Sequence, residues 1–249
     1  MRRLRNRIKP VQGFAHFIHI GLNVLLPLLA YILVRIDFVP LAILLVILSK
    51  WRIVAVRPRY WLANIVSSST DMIVGISLIL FMANTSATWW QLFWTALFMA
   101  WLTILKPRSD VLSVSAQAMV GQLLGLSVLY FKFGDHSLVT LVAATWAIAY
   151  VSARHFLTSF EEPQTGLIAH SWAYFSAGLA FILGHWLLFY GDIAQIVVFL
   201  TTIGYSLAAL YYLDATERLT ITLERQLMSI MLAILVIVVA LSNWHGATY

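Results

Sequence analysis

The chain has 249 residues, 61% of them hydrophobic and 10% charged, with a formal net charge of +6 and no cysteine. The apolar excess excludes an ordinary soluble domain, and the missing cysteines exclude disulfides, thiolate metal sites and thiol catalysis. The positive charge reads as an orientation signal and as a complement to anionic lipid at a cytoplasmic membrane face; it does not point to nucleic acid.

Nine apolar segments approach the roughly 20 residues that a helix needs to cross the hydrocarbon core. They cover approximately 14–34, 38–56, 60–83, 88–105, 111–131, 137–153, 166–190, 193–213 and 226–243. The expected fold is all-α, a polytopic transmembrane helix bundle forming a single integral-membrane domain over 1–249. Barrel strands do not fit segments this long and continuously apolar. A short basic segment, 1–13, precedes the first helix, which is read as a retained anchor because no small-x-small cleavage site follows it. Connections are short, so no soluble domain fits between spans and any chemistry belongs inside the bundle or on its rims.

Taken in chain order, the first segment carries His16, His19, Asn23 and Pro27 at helical spacing. The second ends on Lys50 and Arg52, which are expected to snorkel to the headgroups. The third carries Asn64, Ser67, Ser68, Asp71 and Gly75 along one face. The fourth, with Trp89, Trp90, Phe93, Trp94, Phe98 and Trp101, has the aromatic composition of a lipid-facing helix. The fifth carries Ser113, Gln117, Gly121 and Gly125, and the seventh His170, Tyr174, Gly178 and His185. Small residues allow close helix approach and polar ones seek partners rather than lipid. Helices 1, 3, 5 and 7 are therefore expected inside, with 2, 4 and 6 around them.

Threaded through a bilayer in this way, all Lys and Arg residues except Arg35 and Lys132 fall on one side. That places the N-terminus in the cytoplasm, the tail after the ninth helix outside, and the protein in the cell (inner) membrane. Lys9-Pro10, Arg57-Pro58 and Lys106-Pro107 recur at similar spacing. Pro is welcome in a first helical turn and basic residues belong inside, so this pattern carries duplication only as an alternative.

Asp71 is the leading candidate for function. A carboxylate about eleven residues into a spanning helix costs about 2.5–3.5 kcal/mol on insertion scales. No Lys or Arg is expected at its depth, so the sequence predicts a neutral acid that titrates above the usual range and responds to a proton or cation. Asn64, Ser68, Gln117 and Asn23 are the further transport or coupling candidates. His19 and His170, each about a turn inside the cytoplasmic end, are weak candidates for a metal or haem; no cofactor is expected.

Lys50-x6-Arg57-Pro58 is similar to the first element of the membrane lipid phosphatase signature. The Pro-Ser-Gly-His and Ser-Arg-x5-His elements that would supply the acid and nucleophile are absent, so that activity is not expected. The leading reading is movement of a small solute, ion or lipid, with Asp71 as the responsive group. The alternatives are a non-catalytic subunit of a membrane complex and a lipid-modifying enzyme using rim carboxylates such as Glu161 and Glu162. A cavity reaching Asp71 is expected for transport, a packed interior for the subunit, and a lateral groove for the enzyme.

Overall fold

A computed structural model describes residues 14–51, 55, 57, 61–186, 189–190 and 193–242, with side chains for all of these except 14–20, 62–63, 66–67 and 190. The described chain is helical apart from one small hairpin. In order it forms α1 (Phe14–Arg35), α2 (Val39–Leu48), α3 (Trp61–Ala83), α4 (Thr88–Ala100), α5 (Val111–Phe133), α6 (Leu138–Thr158) and α7 (Thr165–Gly184). Strands β1 (Phe189–Tyr190) and β2 (Ile193–Ala194) pair antiparallel on either side of positions 191–192, and α8 (Gln195–Ala215) and α9 (Ile221–Leu241) follow. Among the described residues, six helices are long and apolar enough to cross a membrane: α4 with its extension to Leu105, and α5 to α9.

The helix starts follow local chemistry. Asp110, Ser137 and Thr220 each cap the helix that follows by accepting a backbone N–H three residues on, as short polar side chains do at orphan donors. Pro40 sits in the first turn of α2, where its missing N–H costs nothing. Three turns close through residues with positive φ that are not glycine: Asp37 (59°), Glu161 (55°) and Glu217 (57°). At Asp37 and Glu217 the following N–H reaches back to Leu33 O and Leu213 O at 2.8 Å, the six-to-one closure of a left-handed helix end.

Two elements depart from expectation. Helix α2 ends at Leu48 after 10 residues, about 15 Å of rise and half the hydrocarbon thickness. Lys50 therefore lies beyond the helix rather than in its last turn. Helix α4 continues as a π-helical turn, Trp101–Leu105, in which Lys106 N bonds Trp101 O at 2.9 Å.

The core has two main parts. One joins α1 to α4 through Ala30, Ala42, Val46, Val74, Leu78 and Phe98, and the other joins α5 to α8 through Leu126, Tyr130, Leu141, Ala180, Ile196 and Leu200. Helix α5 lies between them, packed on α3, α6 and α8. Half of its most apolar stretch is buried, against 6% for α9, which rests on α8 and exposes most of its surface. The Gly121-x-x-x-Gly125 pattern is a close approach: a Cβ at Gly121 would lie 2.8 Å from Thr70 Cγ2, and one at Gly125 2.7 Å from Ile73 Cγ2.

The expected interior stripe of α7 is not found. His170, Tyr174 and Gly178 are exposed and a Cβ at Gly178 would meet nothing, whereas Ala169, Ala173, Ser176 and Ala180 are buried. The buried stripe is thus the one with least bulk rather than the one with most polarity. The lipid-facing reading of α2 and α4 also fails in part. Val46 of α2 is 2% exposed, and α4 buries Gln91, Thr95 and Phe98. Gln91 is retained inside because its amide donates to Thr85 O at 2.8 Å and Met82 O at 3.3 Å, and its Oε1 accepts from Arg35.

Candidate functional site

Helices α2 and α3 run antiparallel and meet where α3 lacks a side chain. A Cβ at Gly75 would lie 2.9 Å from Val46 Cγ1. One helical turn from that contact, in opposite directions along the two segments, are Lys50 and Asp71. Lys50 Nζ donates to Asp71 Oδ2 at 2.6 Å. The register set by the glycine thus fixes the pair.

A second ammonium reaches the same oxygen, with Lys106 Nζ 3.1 Å from Asp71 Oδ2. Lys106 follows the π turn, whose extra residue shifts the angular position of everything after it relative to a regular helix. The carbonyls freed at this helix end are taken up by Gln117 of α5, whose Nε2 donates to Leu105 O at 2.7 Å and Arg108 O at 3.0 Å. Gln117 Oε1 in turn lies 3.1 Å from His155 Nε2 of α6. The side chains of Asp71, Lys50 and Lys106 are 18%, 13% and 35% exposed.

The expectation that Asp71 has no cationic partner is therefore overturned, and with it the premise for a neutral acid. A second helix running on to residue 56 would carry Lys50 to the headgroups; the end of α2 at Leu48 turns it inward to Asp71 instead.

The cluster lines a cavity of about 620 Å³ formed by α1, α2, α3 and the π turn. Asn23, Ser68 and Asp71, three of the five residues singled out in the sequence, share its wall with Ser49, Lys50 and Lys106. Most of the remaining wall is leucine from α1 and α2. Gln117 is 6% exposed and braces the π turn instead, and Asn64, half-buried on α3, is not part of the wall. His155 was not anticipated, since nothing local in the sequence marks it as the partner of Gln117.

The histidine candidates are not brought together by any described contact. His170 Nδ1 pairs with Gly166 O at 2.7 Å, and its ring packs against Trp146 and Tyr150. The side chain of His19 lies outside the described residues. Among the described residues no three His, Asp or Glu side chains converge as a metal site.

The opposite end of the bundle is built differently. Arg35 Nη1 reaches Thr88 and Gln91 at 3.3 Å, and Lys132 Nζ reaches Asn84 at 3.3 Å. A second cavity, of about 700 Å³, lies there between Phe81, Asn84, Trp90, Trp94 and Phe131. Among the charged groups described, the two basic residues that the charge partition set apart thus share one end.

Comparison with protein-family models, curated proteins and solved structures finds no match to this chain.

Proposed function

We propose that this is a multi-pass protein of the cell's inner membrane, with its N-terminus cytoplasmic, that moves a small solute, ion or lipid through the cavity beside Asp71. The observation that carries this reading is the position of a carboxylate and two ammonium groups on the wall of a 620 Å³ cavity. A subunit that used its polar residues only to hold helices together would be expected to close over them.

The mechanism follows from the charge balance. With Asp71 ionised, both ammonium groups are engaged by one carboxylate oxygen. A proton on Asp71, or an ion that competes for the lysines, releases them to the cavity. Proton binding and solute binding are then linked, and each favours the other through the same two side chains. The charged groups that meet Asp71 are Lys50, just past α2, and Lys106, after the π turn; Asn23 of α1, which does not titrate, shares the cavity wall, and the titratable His155 of α6 stands behind Gln117 of α5.

The chain has no cysteine, so single cysteines report on single positions. Ser68→Cys should react with a membrane-impermeant maleimide. Its rate, measured against Gln164→Cys on the exposed α6–α7 link, should change as pH falls from about 6 to about 3, through the ordinary carboxylate range and below it. Adding Asp71→Asn should leave Ser68→Cys reactive and flatten that change. An unreactive Ser68→Cys, or an unchanged profile with Asp71→Asn, would move the assignment to a structural subunit.

A further inference from the structure

Two ammonium groups share one carboxylate, so the cluster carries an excess positive charge. Each ammonium has three N–H donors, and Asp71 Oδ2 occupies one from each. Ser49, Ser68 and Asn23 share the cavity wall with both lysines. This end is built for an anion.

The rest of the wall is built for something else. Leu22, Leu25 and Leu29 recur at helical spacing on α1, line the cavity, and are 59%, 47% and 38% exposed. Leu48 of α2, also in the wall, is 58% exposed. The cavity is therefore bordered by leucines that also face outward, where the acyl chains of a bilayer lie. A small inorganic anion would satisfy the ammonium groups and leave the leucines wet. A zwitterionic lipid would cover the leucines and bring no net charge to match the cluster.

We propose that the cavity takes an amphiphile with an anionic headgroup, a phosphate-bearing lipid, with the headgroup between Lys50 and Lys106 and an acyl chain along Leu22, Leu25 and Leu29. This names the substrate class of the transport reading and rests on it. Asp71 is then the internal competitor of the headgroup, since both use the same two ammonium groups. Removing a lysine and removing the carboxylate must act in opposite directions.

The test uses the full chain in neutral detergent, titrated with dioleoyl phosphatidylglycerol, dioleoyl phosphatidylcholine or inorganic phosphate. Binding is followed by native mass spectrometry and by the shift in thermal unfolding. Phosphatidylglycerol should bind at least about ten-fold more tightly than either alternative. Lys106→Gln should weaken it by about ten-fold or more, as expected for a charge-assisted hydrogen bond. Asp71→Asn should tighten it, and Arg35→Gln at the opposite end should leave it unchanged.

Equal binding of phosphatidylcholine would reduce the site to an apolar groove. Phosphate alone matching the lipid would make it a free-anion site, and Lys106→Gln and Asp71→Asn moving together would make the cluster structural. Each result overturns the proposal. If phosphatidylglycerol is not preferred while the Ser68→Cys response to pH persists, the amphiphile is wrong and movement of a solute stands. If the lipid binds as described while that response is flat, the lipid is a fixed occupant and transport fails.

Discussion

Asp71 stood out in the sequence because a carboxylate deep in an apolar segment is costly, and it does line a cavity. Its partners were not legible. Lys50 looked like a rim residue as long as α2 was taken to continue past it, and nothing in Trp101-Leu-Thr-Ile-Leu105 announces a π turn that brings Lys106 to the same oxygen. The pairing had one available signal: Gly75 lies four residues after Asp71 and Val46 four before Lys50, the relation expected of antiparallel segments meeting at a glycine. Replacing a buried ion pair with apolar side chains is often neutral for stability. Three charges facing open space are therefore poorly explained by stability alone. At the rim, the N-cap Asp110 offers a cleaner titration. Hydrogen bonds from the Ser113 side chain and backbone N–H hold its carboxyl below the usual carboxylate range. A carboxyl whose folded value is depressed stabilises above its unfolded value, and that contribution is lost as pH falls through the folded value. Asp110→Asn, whose amide oxygen still caps the helix, should remove this part of the acid sensitivity and leave the unfolding temperature near pH 7 almost unchanged. An identical acid limb in thermal melts of the two proteins would refute it.

Among elements, α5 and α7 carry glycines with opposite surroundings. The glycines of α5 are places where α3 has no room for a side chain. Gly178, equally prominent in the sequence, meets open space, because α7 buries its alanine face instead. Polarity and small size gave the same answer on α5 and opposite answers on α7, and close packing followed size. Gly125→Leu should therefore destabilise the protein by about 1–3 kcal/mol through overpacking, since Ile73 and Ile148 crowd that position. Gly178→Leu should cost nothing comparable. Thermal unfolding of the two variants in detergent decides it; equal losses would show that the exposed face of α7 is covered in the folded protein.

For the whole molecule, the helical membrane class and most helix positions were legible, because long apolar runs leave few alternatives. The small hairpin between α7 and α8 was not, since two residues on each side of a turn are too few to show an alternating pattern. The charge partition gives the whole-molecule prediction. A reporter after Tyr249 should lie on the side opposite one inserted between Glu162 and Gln164, with the latter cytoplasmic. Both on one side would require an even number of crossings between them, and hence a different number of spans.

The π turn leaves α4 with one residue too many for its own hydrogen-bond ladder. That surplus is bound to the neighbouring helix through Gln117, and Gln117 is bound to α6 through His155. A change in either contact is therefore not confined to its place. Both contacts brace the stretch of chain that brings Lys106 to Asp71. Through that chain of hydrogen bonds, α5 and α6 bear on where Lys106 is held.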